Sequence, residues 1–132
     1  MTIELNHLIV FSRDKSIGAA FLSETLGLPA PKPSGPFLAV TMDNSVTLDY
    51  IDADREIIPQ HLAFLVEASE FESIRERVNS GARPYWADPY HRREGQIYED
   101  NEIRGFYFED PSGHNLEVMT RVLNAISGAD RR

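Results

Sequence analysis

Apolar positions in this chain fall into short blocks that switch between strand-like and helix-like spacing. Leu5 to Phe11 (Leu-Asn-His-Leu-Ile-Val-Phe) is a compact apolar run and predicts a strand. Ile17, Ala20, Phe21 and Glu24 then recur at helical spacing. They predict a helix over Lys15 to Leu26, capped by Ser12 or Asp14 and stopped by Gly27. Pro29, Pro31, Pro33 and Pro36 make the next stretch a loop or, at best, an irregular edge strand, because proline cannot donate to a central ladder. Phe37 to Met42 and Val46 to Ile51 follow as a hairpin across Asp43-Asn44-Ser45. The polar run from Asp52 to Pro59 is a connector.

The second half repeats that order. Gln60 to Val66 (Gln-His-Leu-Ala-Phe-Leu-Val) predicts a strand. Ser69 with Glu72 forms a capping-box pattern, Phe71, Ile74 and Val78 make the buried stripe of the helix it opens, and Gly81 is its stop. Tyr85-Trp86 suggests a short strand, and Ala87 to Glu102 a long polar loop. Ile103 to Met119 then reads as two aromatic and branched strands joined by the turn Asp110-Pro111-Ser112-Gly113. The tail over 123–132 is expected to fray.

An internal repeat organises these elements. Asn6-His7-Leu8 matches Gln60-His61-Leu62, and Thr47-Leu48-Asp49-Tyr50 matches Asn115-Leu116-Glu117-Val118. The expectation is an α+β fold with one domain over 1–122. It would be built from two βαβββ modules (about 3–52 and 59–121) that form a cupped mixed sheet with helices on its outer face.

Side chains alternate across a strand, so the faces can be assigned. Leu8 and Val10, Leu48 and Tyr50, Leu62, Phe64 and Val66, and Leu116 and Val118 should face the helices. His7, Asp49, His61 and Glu117 then share the opposite parity and would line the cup, joined by Tyr107 between helix-facing Phe106 and Phe108. Taken singly, each His reads as an ordinary hydrogen-bonded residue and Glu117 as a solvated strand residue. Taken together, two imidazoles and a carboxylate suit one Mn, Fe(II), Ni, Co or Zn ion with coordination positions left open. His114 has the parity of Leu116 and is expected at the surface.

Composition narrows the chemistry. With 132 residues the chain can bury one sizeable core. A net charge of −8 argues against a nucleic-acid or anionic-membrane surface. No apolar run reaches membrane-spanning length, and the N-terminus lacks a signal-peptide pattern, so a cytoplasmic location is expected. The absence of Cys removes thiolate nucleophiles, disulfides and zinc–thiolate sites together. No Ser triad is visible either, whereas an open metal polarises a bound oxygen without one.

Paired strand-helix-strand-strand-strand modules, a His opening each, and the closing Phe-Tyr-Phe-Glu-Asp-Pro-Ser-Gly-His-Asn-Leu-Glu resemble the vicinal oxygen chelate superfamily. That superfamily groups glyoxalase I, bleomycin-resistance proteins, extradiol dioxygenases and fosfomycin-resistance transferases. The resemblance runs from about Ile3 to Arg121. It implies His7, His61 and Glu117 as ligands of one divalent metal in an enzyme whose substrate chelates through adjacent oxygens. It also implies a homodimer with modules paired across subunits, so that one site takes ligands from both chains.

The activity divides. Fosfomycin-resistance transferases, which bring a thiol co-substrate, resemble this chain in ligand set, size and a Tyr at the Tyr107 position. They carry Thr where this chain has Ile9, and Arg92, Arg93, Arg104 and Arg121 are only candidates for their phosphonate-holding residues. Extradiol dioxygenases share the ligand triad and the Tyr but lack a counterpart here to a further His. Glyoxalase I has a fourth ligand where this chain has Asp49, an auxiliary ligand or base, so lyase or isomerase chemistry is a third reading. Tyr107 would donate to a substrate oxygen. Trp86 and Tyr85 are core or a stacking surface for substrate, and His91, Arg92 and Arg93 lie in a solvated loop or a lid. The non-enzymatic alternative is a metal-free bleomycin-resistance-type protein that sequesters a cationic antibiotic; it fits the acidity but gives the triad no purpose.

Overall fold

The computed structural model describes residues 2–120; Arg121 and the tail over 123–132 lie outside the described residues. The protein is α+β and consists of two compact units. One runs to Gln60 and includes Asp110–His114; the other comprises His61–Glu109 and Asn115 onward. Each unit carries one four-stranded mixed sheet and one helix in the predicted βαβββ order. No helix among the described residues is long and apolar enough to cross a membrane.

The first unit contains β1 (His7–Ser12), α1 (Lys15–Leu26), β2 (Lys32–Ser34), β3 (Phe37–Thr41) and β4 (Thr47–Asp52), in the sheet order β1-β4-β3-β2. β1 and β4 pair in parallel and the other neighbours are antiparallel. Of the two candidate caps, Asp14 is the one used: its side chain accepts from the backbone N–H groups of Ser16 (2.9 Å) and Ile17 (3.3 Å). Gly27 closes α1 at φ 73°, a conformation that costs glycine little. Val10, Leu48 and Tyr50 are buried, as alternation requires.

The buried stripe of α1 differs from the expected one. Gly18, Ala19, Leu22, Ser23 and Thr25 are buried, whereas Ile17 is exposed. Close approach selects small residues here. A Cβ on Gly18 would stand 2.7 Å from Ser12 Oγ and 3.2 Å from the Tyr50 ring, so a larger side chain would push the helix off the sheet.

The second unit contains β5 (His61–Val66), α2 (Ala68–Ser80), β6 (Tyr98–Asp100), β7 (Ile103–Glu109) and β8 (Asn115–Thr120), in the order β5-β8-β7-β6. Its pairing pattern is that of the first unit, with β5 parallel to β8 and antiparallel neighbours beyond. Phe71, Ile74 and Val78 of α2 are buried as expected, with Phe71 edge-on to Phe106 at 5.3 Å between centroids. Burial of each such side chain contributes about 1.5–3 kcal/mol.

Three local expectations need correction. The capping box does not form: α2 starts at Ala68, Glu67 precedes it without a side-chain cap, and Glu72 reaches Arg104 instead. Gly81 ends α2 as expected; it does so at φ −77°, and Ala82 takes the left-handed turn at φ 57°. Tyr85-Trp86 is not a strand; Trp86 makes isolated bridges to Tyr107 and Glu94, while the stretch expected as loop contains β6. His114 is fully buried. It precedes β8, so strand parity does not govern it. Its Nδ1 accepts from the Gln60 N–H (2.9 Å), and its Nε2–H donates to the Phe11 carbonyl (2.7 Å). The turn that holds it is shaped by Asp110 Oδ1, which accepts from the N–H groups of Ser112 and His114 at 2.9 Å each.

Candidate metal-binding site on the second sheet

Glu117 lies mid-way along β8, with Ala63 of β5 beside it on one flank and Tyr107 of β7 on the other. Alternation turns it away from the buried Leu116 and Val118. It is nonetheless buried, and a carboxylate taken out of water must be met by donors. Three side chains converge on it. His61, one alternation step before Ala63 on the same strand, brings Nε2 to 3.0 Å from Glu117 Oε1. Tyr98 donates its hydroxyl to the other oxygen, Oε2, at 2.5 Å. Tyr107, the register partner of Glu117, carries its phenol on the same face.

Both phenols are held in the protonated, donating form. Partial burial, followed by the charge of Glu117, pushes Tyr107 up to about 12. Burial, then the hydrogen bond and charge of Glu117, raises Tyr98 far above the ordinary tyrosine range. The rings form a connected wall, with centroids 5.7 Å apart for His61–Tyr107 and 6.0 Å for Tyr98–Tyr107.

The donor set fits a divalent metal. Two ligand atoms each about 2.1 Å from one ion and at a right angle are about 3.0 Å apart, which matches the Nε2–Oε1 separation. His61 is half-exposed while Glu117 is buried, so the pair opens to solvent on the imidazole side. Among the described residues no group of three or more His, Cys, Asp or Glu is gathered to hold a metal.

The other candidates are distributed as follows. His7 opens β1, exposed, with Nδ1 2.8 Å from Asn6 Oδ1; an Nδ1–H donated there leaves the Nε2 lone pair available to a ligand. Asp49 sits on β4 opposite Ile9 and Ala39, and Ile9 is partly exposed. The position of Asp49 relative to His7 repeats that of Glu117 relative to His61, because His7 pairs with Thr47 as His61 pairs with Asn115. Trp86 exchanges backbone hydrogen bonds with Tyr107 and is stacked by His91 at 3.7 Å.

Arg92 and Arg93 give their backbone N–H groups to Asp88. Desolvation alone would raise the Asp88 carboxyl, but these N–H groups and the Arg93 charge together hold it below its usual value. The Arg104 guanidinium pairs with Glu72 and lies over Phe71 at 4.8 Å, on the helix side of the sheet and away from Glu117. Arg121 lies outside the described residues.

Tyr98, whose hydroxyl meets Glu117, is not among the residues that the sequence points to. Its signal was Gly105, a glycine in the middle of a strand, which marks close approach by another group.

No family model matches the chain. It is 32% identical to "Glutathione transferase FosA" of Serratia marcescens, over 99% of this chain and 90% of that protein. Two solved structures, "Oxidase ChaP-H1" and "Oxidase ChaP-H2", are 47% and 49% identical, each with a TM-score of 0.90; they cover 94% and 95% of this chain and 100% and 98% of their own. The chain belongs to the vicinal oxygen chelate superfamily and is a metal-dependent enzyme within it.

Proposed function

We propose that the protein is an oxidase that uses one divalent metal and dioxygen on a small substrate binding through two adjacent oxygens. The observation that carries oxidation is the likeness, at nearly half identity along almost the whole chain, to two proteins named as oxidases. His61 and Glu117 are two of the ligands and His7 of a second copy of the chain is the third, in a homodimer. The fit of Nε2 and Oε1 to one ion supports the first two assignments, and the free Nε2 of His7 supports the third. When bound, the metal would polarise a substrate oxygen as a Lewis acid and, if it is Fe(II), supply an electron toward dioxygen.

The chain's own residues do the rest. Tyr107 stands directly opposite Glu117, where its hydroxyl donates to a substrate oxygen. Trp86, tied to the Tyr107 backbone and stacked by His91, borders the substrate beside Tyr107. Asp49 is an auxiliary base or ligand.

A second reading, transfer of a thiol to an electrophilic substrate, is supported by the 32% identity to a glutathione transferase. Ile9, standing where that resemblance expects Thr, weakens it.

Anaerobic loading with Fe(II), followed by oxygen-electrode measurement with polyphenols that carry adjacent oxygens, separates the two. Oxygen uptake that depends on both metal and polyphenol is expected. Mn(II)-dependent conjugation of glutathione to fosfomycin, without any oxygen uptake on polyphenols, would overturn the oxidase reading in favour of the second.

A further inference from the structure

Glu117 has two oxygens, and they are treated differently. Oε1 stands 3.0 Å from His61 Nε2, and Oε2 takes the Tyr98 hydroxyl at 2.5 Å. Tyr98 lies two strands away from Glu117: β6 pairs with β7, and β7 with β8. Neighbouring strands are about 4.8 Å apart, so a side chain must cross the whole of β7 to make this contact. It can cross only because its register partner is Gly105. A Cβ built at Gly105 would run into the Tyr98 ring and hydroxyl, and Gly105 has no left-handed conformation that would explain a glycine otherwise. The glycine therefore serves the tyrosine, and the tyrosine serves the carboxylate.

We infer that Tyr98 is a positioning residue that fixes Glu117 as a one-oxygen ligand, with Oε1 presented to the metal and Oε2 withheld. The inference rests on the metal site proposed above. A carboxylate free to turn can chelate an ion through both oxygens and occupy one more coordination position. With Oε2 engaged by Tyr98, that position stays open, and a substrate that binds through two adjacent oxygens needs it. Tyr107 stands directly opposite Glu117 and faces the proposed substrate. Tyr98, on the edge strand, touches neither His61 nor substrate in this scheme and acts through Glu117 alone.

The test is Co(II) binding to the full chain, followed by visible absorption and by competition with a chromophoric chelator, for wild type, Tyr98→Phe, Gly105→Ala and Glu117→Ala. Tyr98→Phe removes one hydroxyl and keeps the ring. It should bind one Co(II) per site with affinity altered about 10- to 100-fold, the range seen for groups that orient metal ligands. Its visible bands should weaken, as they do when coordination number rises. Gly105→Ala, which displaces the ring instead, should give the same spectral change. A purely structural tyrosine would lower the unfolding midpoint and leave the Co(II) spectrum alone. Wild-type binding that is lost in Glu117→Ala, with affinity and spectrum unchanged in Tyr98→Phe, overturns the role of Tyr98 while the metal site stands. Binding that survives Glu117→Ala unchanged, or no binding by wild type, overturns the metal site and this role with it.

Discussion

Tyr107 and Glu117 are register partners on adjacent antiparallel strands, and the charge of the carboxylate helps to raise the phenol. They share one face of β7 and β8, while Phe106, Phe108, Leu116 and Val118 are buried on the other. Tyr107→Phe keeps the ring and removes the proton donor. It should lower kcat about 100-fold, the scale of one positioned acid or hydrogen-bond donor, with KM and metal content little changed. Steady-state kinetics with metal analysis checks this; a change in KM alone would mean that Tyr107 only binds substrate.

His114 is buried and serves two backbone groups, the Gln60 N–H and the Phe11 carbonyl. His114→Ala leaves both without their partner and opens a cavity, so it should destabilise by about 2–4 kcal/mol. Metal stoichiometry of the folded fraction should not change. Urea unfolding and metal analysis together separate this structural histidine from the ligands.

Ala82 holds φ 57° beside Gly81 at φ −77°, the reverse of where a glycine is useful. Ala82→Gly should stabilise the protein by about 0.5–1 kcal/mol: it relieves the roughly 1–2 kcal/mol cost of left-handed backbone for a residue with a Cβ, less the greater freedom that glycine loses on folding. Gly81→Ala should be tolerated, since its Cβ would come no closer than 3.4 Å to the Arg77 carbonyl oxygen. Thermal unfolding of the two variants checks the pair, and equal effects would contradict it.

Tyr50 is fully buried, and burial, with the nearby Asp110 charge adding to it, raises its phenol above the ordinary tyrosine value. The folded state then keeps a proton that the unfolded chain releases near pH 10. Its contribution to stability is complete below that pH and is lost as pH rises toward the folded value. The slope is about 1.4 kcal/mol per pH unit for one such group. Tyr50→Phe should reduce the alkaline decline by that amount. At neutral pH it should cost little, because the hydroxyl has no hydrogen-bond partner among the described residues. Urea titrations at pH 7.5 and pH 11 give both numbers.

Much of this was legible in the sequence because it depends on period and repetition. Alternation around Leu116, Glu117 and Val118 placed the carboxylate on the face opposite the helix, and the repeat tied His61 to His7. What stayed hidden depended on contacts between distant residues. Tyr98 reaches Glu117 across an intervening strand, and nothing at position 98 itself announces that. Arg104 was chosen for its charge, yet Glu72 and the Phe71 ring draw it to the helix side. His114 precedes the start of β8, so the turn and not strand parity decides its direction. In α1, close packing on Ser12 and Tyr50 favoured small residues over the larger apolar ones that helical spacing picks out.

The most direct test of the metal centre is equilibrium metal content, measured by mass spectrometry after dialysis against limiting Fe(II) or Mn(II), for wild type, His7→Ala, His61→Ala and Glu117→Ala. Wild type should retain one ion per site, and each substitution should weaken retention at least about 10-fold, as expected when a ligand itself is removed. Subunit exchange between His7→Ala and Glu117→Ala proteins should restore part of the binding, since the proposed ligands come from different copies. Equal retention by wild type and all three variants would contradict the assignment of His7, His61 and Glu117 as the metal site.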